Sequence, residues 1–343
     1  MSFTETVVEQ KSEHLLLKAI HFGATDLHLM PSENDYLLYF RKYGQLVSAG
    51  QLPLELGDRM ISYFKFLSSL DISDKRRPQS GSFQQVLNEQ PIAFRVSTLP
   101  SIFMKESLVI RIMLQDHAIP ISSLCLFTES AKHLLQLVKK RQGILFFTGP
   151  TGCGKSTSLY SLIHYCSNEL KKHVISLEDP VENSQSNLLQ IQVNERAGVT
   201  YAAGLKAILR HSPDIIMIGE IRDQETAKIA IEAALTGHLV LTTIHSMDTI
   251  GCLFRLLDLG VSLEELRQTV IGVVAQRLVK KVNSQDEERL SAIYEILAER
   301  NLAEAIEHVK SDEKFILPLE LSLEGQMKKG VSSGAITAQP SQI

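Results

Sequence analysis

The run Phe147-Thr148-Gly149-Pro150-Thr151-Gly152-Cys153-Gly154-Lys155-Ser156-Thr157 fits the pattern G-x-x-x-x-G-K-[ST] and leaves few options for the chain around it. Such a loop works only between a buried strand and the start of a helix. Ile144-Leu145-Phe146-Phe147 reads as that strand, and residues 156–166 as that helix. Backbone N–H groups then converge at a helix N-terminus, where the dipole favours anions. The glycines let the backbone close around phosphate oxygens without a Cβ in the way. Gly149, Pro150, Thr151, Gly152, Cys153, Gly154, Lys155, Ser156 and Thr157 are therefore the candidate phosphate-binding residues of a nucleotide site. Lys155 would reach the β- and γ-phosphates, and the Ser156 hydroxyl would ligate Mg²⁺.

The rest of the chain excludes several alternatives. At 343 residues it is long enough for two domains. A net charge of −4 is no electrostatic footprint for nucleic acid, so direct nucleic-acid binding is not expected. The short basic runs Lys75-Arg76-Arg77, Lys139-Lys140-Arg141, Lys171-Lys172 and Lys280-Lys281 read as solvated faces or helix ends. No apolar stretch approaches the ~20 residues that span a bilayer, and the N-terminus has no secretory pattern. Cys125, Cys153, Cys166 and Cys252 are scattered without a C-x-x-C pair, which argues against zinc and against a disulfide scaffold. A soluble, cytoplasmic protein is expected, associated with a membrane only peripherally and through a partner.

Up to about residue 114 the pattern is α+β, with helices at 11–22 and 56–70 and strands at 26–29, 36–41, 46–47, 81–86, 92–96 and 107–113. A linker follows at 115–122. From 123 to 330, continuous apolar strands (144–147, 174–177, 215–218, 239–243) alternate with helices (156–166, 201–210, 225–235, 250–259, 263–280), and two or three more helices are expected after 289. That alternation implies an α/β fold with a parallel sheet covered on both faces. Residues 331–343 are Ser-, Gly- and Gln-rich and read as a disordered tail.

Hydrolysis at a P-loop also needs a carboxylate for Mg²⁺, a group to orient water and cations for the developing charge. Asp214-Ile215-Ile216-Met217-Ile218-Gly219-Glu220 ends a buried strand in an acid, making Glu220 the candidate Mg²⁺ carboxylate. Glu178-Asp179-Pro180-Val181-Glu182 closes another strand. Glu178, nearest the strand end, is the first candidate to polarise the attacking water, and Glu182 the second. His245, past the strand 239–243, could sense the γ-phosphate, whereas His238 lies at its other end.

Four blocks thus stand in order: GPTGCGKSTSLY at 149–160, SLEDPVE at 176–182, LRHSPDIIMIGEIRDQETA at 209–227 and LTGHLVLTTIHSMDT at 235–249. Together they closely resemble the Walker A, Asp, Walker B and His boxes of the ATPases of type II secretion and type IV pilus assembly. The resemblance extends to Ala275-Gln276-Arg277-Leu278, to Phe94-Arg95-Val96-Ser97-Thr98-Leu99-Pro100, to Val109-Ile110-Arg111-Ile112 and to Ala24-Thr25-Asp26-Leu27-His28. It implies a RecA-like P-loop ATPase core with an N-terminal PAS-like domain, a homo-hexameric ring, ATP and Mg²⁺ as ligands, and a polytopic membrane platform protein as partner. By the same resemblance Arg95 and Arg111 match arginines that reach the nucleotide of a neighbouring subunit. Where many assembly members carry a four-cysteine zinc loop, this chain reads Val282-Asn283-Ser284-Gln285-Asp286, so no zinc is expected. The usual Arg-x-Asp-Gly turn reads Arg41-Lys42-Tyr43-Gly44. A short member without zinc or the extra N-terminal domain is most similar to the traffic ATPases of competence pseudopili, which serve DNA uptake in transformation. Pilus retraction and type II secretion are the alternatives within the family. A DNA-dependent RecA-like ATPase and a nucleotide-bound scaffold are the alternatives outside it.

Overall fold

A computed structural model describes residues 7–42, 45–88, 90–101, 105–114, 119–181, 185, 187–281, 290–310 and 315–336. They fall into two units that meet in sequence near residue 116.

The N-terminal unit runs α1 (Val7–Phe22), β1 (Asp26–Pro31), β2 (Asp35–Lys42), β3 (Gln45–Pro53), α2 (Leu54–Leu67), β4 (Gln79–Leu87), β5 (Gln90–Pro100) and β6 (Glu106–Leu114). Its strands form one antiparallel sheet in the order β3-β2-β1-β6-β5-β4. The pleat sorts the side chains. In β2, Tyr36, Leu38 and Phe40 are buried while their neighbours are half-exposed. These side chains join Leu16, Leu27, Leu29, Phe64, Phe94, Val96 and Ile110 in a core beneath the two helices. The opposite face carries the charged groups. Cross-strand pairing sets Arg95 opposite Arg111, Arg111 opposite Asp26 and Asp26 opposite Arg41, in one row across four strands.

The second unit opens with α3 (Ile121–Leu124) and α4 (Thr128–Leu137), then β7 (Gly143–Thr148), α5 (Lys155–Asn168), β8 (Val174–Glu178), β9 (Leu189–Gln192), α6 (Tyr201–Ile208), β10 (Ile215–Ile218), α7 (Gln224–Leu235), β11 (Leu239–Thr243), α8 (Thr249–Asp258), α9 (Leu263–Thr269), β12 (Val270–Lys280), β13 (Leu290–Ala298), α10 (Glu299–Lys310) and α11 (Leu323–Ser332). The sheet order is β13-β12-β7-β11-β10-β8-β9, parallel except for β12 against β13. Each central strand feeds two cores. Ile144 and Phe146 pack with α6, α7 and α8, while Leu145 and Phe147 pack with α4 and α5. That is why these strands read as unbroken apolar runs.

Two readings of the sequence are corrected. The helix expected over 263–280 stops at Thr269. Its start is real, with a capping box between Ser262 and Glu265. From Val270 the chain is strand β12, buried between β7 and β13, and the β-branched run Val270-Ile271-Gly272-Val273-Val274 suits that place. After residue 289, where only helices are expected, residues 290–298 form β13, and among the described residues two α-helices, α10 and α11, follow it. Ile336 is 3% exposed, packs with Val279 and Ile293, and bridges to Lys281. The linker positions 115–118, Tyr43 and Gly44 of the turn, Glu182, the zinc-loop positions 282–286 and residues 337–343 lie outside the described residues.

Candidate nucleotide site

Strand β7 delivers the chain into the loop fully buried. The loop then turns on Gly149, Gly152 and Gly154, with φ of +138°, +80° and +85°. Two of these glycines are also sterically required. A Cβ at Gly149 would lie 2.7 Å from the Gln276 carbonyl, and one at Gly154 would lie 2.9 Å from Gln276 Nε2. Helix α5 starts at Lys155 without a side-chain cap, whereas α7, α8 and α9 are capped by Asp223, Asp248 and Ser262. An uncapped first turn behind a glycine loop leaves N–H donors facing an anion. Lys155 Nζ donates back to the Gly149 carbonyl (2.8 Å) and the Pro150 carbonyl (3.0 Å), folded over the loop it would share with a phosphate. Ser156 follows, half-buried.

The carboxyl ends of the neighbouring strands bring the other candidates to this edge. Strand β11 stands between β7 and β10, so Glu220 is one strand further from the P-loop than a direct neighbour would be. The Thr148 hydroxyl donates to the Ser246 carbonyl at 2.9 Å, and Ile244 N–H donates to the Phe147 carbonyl at 3.0 Å, tying the loop entrance to the His245 segment. His245 Nε2 lies 3.5 Å from Glu220 Oε2, and Arg222 pairs with Glu220 Oε1. Glu178 ends β8 at 3% exposure. It accepts from the Tyr160 hydroxyl, from Ser176 Oγ at 2.5 Å and from Gln190 Nε2 at 3.1 Å. Gly219 lets the two acidic strand ends approach, since a Cβ there would come within 3.4 Å of the Glu178 Cα and 3.0 Å of the Tyr201 hydroxyl. That hydroxyl is buried without a hydrogen-bond partner among the described residues, and burial, then Asp179 and Glu220, pushes the phenol well above its ordinary range.

Gln276, read as helical in the sequence, is a component of this site. It is 1% exposed on β12. Its Nε2 donates to the Cys153 carbonyl in the loop at 2.7 Å, and its Oε1 accepts from Ser158 Oγ on α5 at 3.0 Å. Its neighbour Arg277 donates to the carbonyls of Gln276 (2.9 Å) and Met247 (2.8 Å). Tyr160, Ser176 and Tyr201 carried no sequence signal, because nothing local says which carboxylate a helix tyrosine or a strand serine will meet. For Gln276 a signal existed in the β-branched run that precedes it.

Arg95 and Arg111 are described within the N-terminal unit. Arg111 Nε donates to Asp26 Oδ1 at 2.9 Å, and Thr25 Oγ1 donates to Asp26 Oδ2 at 2.8 Å. Asp26 is buried, while the Arg111 side chain is 63% exposed. His28, two residues on, is also buried, and its Nε2 has no partner among the described residues. Burial is the main cause of its lowered pKa; Asp26 opposes that shift, and Arg41 and Arg111 add to it.

The Ser156 hydroxyl and the Glu220 carboxylate are hard oxygen donors, of the kind Mg²⁺ takes together with substrate phosphates. Among the described residues no group of three or more His, Cys, Asp or Glu side chains could hold a metal by itself. No helix among them is long and apolar enough to cross a membrane.

The chain has clear relatives among known proteins. The family described as "Type II/IV secretion system protein" matches residues 3–320. The competence protein ComGA of Bacillus subtilis is 43% identical, over 96% of this chain and 96% of that protein. The type IV pilus assembly ATPase PilB of Acinetobacter baylyi is 41% identical over 79% of this chain, which corresponds to 47% of the longer protein. Among solved structures, the pilus retraction motor PilT with bound ADP superposes with a TM-score of 0.74 at 25% identity, covering 96% of this chain and 97% of that one. The ATPase DotB of Legionella pneumophila superposes with a TM-score of 0.68 at 22% identity, covering 98% of this chain and 90% of that one, and shares the fold.

Proposed function

The chain belongs to the type II/IV secretion system protein family, and on that premise we propose that it is the ATPase that powers assembly of a type IV-like competence pseudopilus for DNA uptake. The observation that carries the chemistry is the uncapped start of α5 behind the glycine loop, with Glu178 and Glu220 at nearby strand ends. The assembly role rests on the near full-length likeness to the competence protein ComGA. Retraction is the second reading, favoured by the likeness to PilT, and type II secretion is the third.

In this reading ATP lies with its phosphates on the loop 149–157. Lys155 exchanges its two carbonyl partners for phosphate oxygens, and the first-turn N–H groups of α5 supply the remaining donors. Ser156 and Glu220 would hold Mg²⁺, which would neutralise charge at the phosphates when bound. Glu178 orients the attacking water, with Tyr160, Ser176 and Gln190 fixing the carboxylate; Glu182 is the alternative. His245 senses the γ-phosphate through its contact with Glu220. Arg95 and Arg111 of a neighbouring subunit spread positive charge over the transferring phosphoryl group. The working form is a homo-hexamer at the cytoplasmic face of the membrane, passing its motion to a polytopic platform protein. The test is phosphate release from Mg-ATP by the wild type, Lys155→Ala and Glu178→Gln, with light-scattering mass on the same samples. Turnover lost in both variants of a hexamer-sized species supports the reading, and full turnover in Lys155→Ala overturns the site.

A further inference from the structure

Two of the basic runs that read as solvated in the sequence meet in space. Lys139, Lys140 and Arg141 follow α4, and Lys172 precedes β8, yet all four line one cleft of about 440 Å³ with Asp214 and His238. It opens at the amino ends of β7, β8, β10 and β11, the edge of the sheet opposite the P-loop. Four cations face one carboxylate, on a chain whose net charge is −4. That carboxylate is already engaged, since Asp214 accepts from His173 N–H at 2.9 Å and from Lys172 Nζ at 3.2 Å. Lysines and arginines just past a helix usually cover its last carbonyls. Among the described residues, the side chains of Lys139, Lys140 and Arg141 make no hydrogen bond or ion pair, so the fold makes no use of their charge. Backbone contacts fix the cleft's rim: Gly143 N–H donates to the His238 carbonyl at 3.1 Å, and Asp214 N–H donates to the His173 carbonyl at 2.9 Å.

From this juxtaposition we infer a second anion site, at the amino edge of the sheet, that takes a small phosphate-bearing ligand on Lys139, Lys140 and Arg141. The cleft has the size of a small-molecule pocket, and its unpaired cations are the donors that phosphate oxygens need. The phosphate could come from a free oligophosphate or from the headgroup of an acidic lipid.

The full chain, saturated with Mg²⁺ and a non-hydrolysable ATP analogue to fill the P-loop, is titrated with inorganic pyrophosphate in a calorimeter and, separately, with phosphatidylglycerol or phosphatidylcholine vesicles in a flotation assay. One further pyrophosphate per chain is expected, weakened at least about tenfold in the triple variant Lys139→Ala, Lys140→Ala, Arg141→Ala. Lys139→Arg with Lys140→Arg retains it. Binding only to phosphatidylglycerol vesicles, lost in the triple variant, assigns the same site to a lipid headgroup. No binding of either probe, or binding that the triple variant leaves unchanged, overturns the inference. ATP turnover of the triple variant stays at the wild-type level, which establishes that it is folded and keeps this test separate from that of the nucleotide site.

Discussion

The two sheets hold their charged groups in different places. The N-terminal sheet packs on helices with one face only, so the other face can present a row such as Arg95, Arg111, Asp26 and Arg41. The core sheet is covered by α4 and α5 on one side and by α6, α7 and α8 on the other. Its faces are mostly apolar, so the chemistry gathers near the carboxyl ends of the strands. A one-sided sheet can present side chains at strand spacing; a two-sided sheet can present only loops, helix termini and the last residue of each strand.

The first test of that contrast is Lys155→Ala, at the helix terminus beyond β7. ATP turnover should drop at least about a hundredfold in a phosphate-release assay, with the melting temperature nearly unchanged because the lysine bonds only to its own loop. Arg95→Ala tests the face. Turnover should fall by roughly a thousandfold if the guanidinium serves a neighbour's nucleotide. Arg111→Ala should lose turnover and also about 1–3 kcal/mol of stability in denaturant melts, because buried Asp26 loses its charged donor. Equal stability losses in the two variants would erase the distinction between a presented and a held arginine.

Gln276→Ala should cost about 1–3 kcal/mol and raise the KM for ATP, since the Cys153 carbonyl and the Ser158 hydroxyl lose their common partner. An unchanged KM would remove Gln276 from the site and leave it a packing residue. Tyr201→Phe should leave thermal stability equal or slightly higher, because its buried hydroxyl has no partner to lose. A drop in turnover in that folded variant would show that the hydroxyl serves a ligand. The smallest effect is expected at the amino edge. The His173 N–H, with Lys172 assisting, holds Asp214 below the usual carboxylate range. A depressed folded pKa stabilises above the unfolded value of about 3.9 and is lost as pH falls through the folded one. Asp214→Asn should therefore cost at most about 1 kcal/mol at pH 7, and progressively less as pH falls through the folded-state pKa.

Legibility followed the same contrast. Strands buried on both faces, such as Ile144–Phe147 and Ile215–Ile218, appear as apolar runs and were read correctly. The antiparallel strands were found but shortened; β3 was expected as two residues and spans Gln45–Pro53, most of it exposed. The exceptions are β12 and β13. The residues of β12 are buried on both sides, so apolar positions recur at helical as well as strand spacing, and the real helix α9 lies directly upstream.

The glycine loop, its strand and its helix were determined by the sequence alone, because a phosphate cradle is built from consecutive residues whose backbone needs are local. Only the tertiary structure decided what is far apart in the chain. It put Gln276 on the Cys153 carbonyl across 123 residues and Tyr160 on Glu178, and it gathered Lys139, Lys140, Arg141 and Lys172 at one edge. Those meetings depend on strand order, and strand order depends on how two cores close around a sheet, which no single segment of sequence encodes.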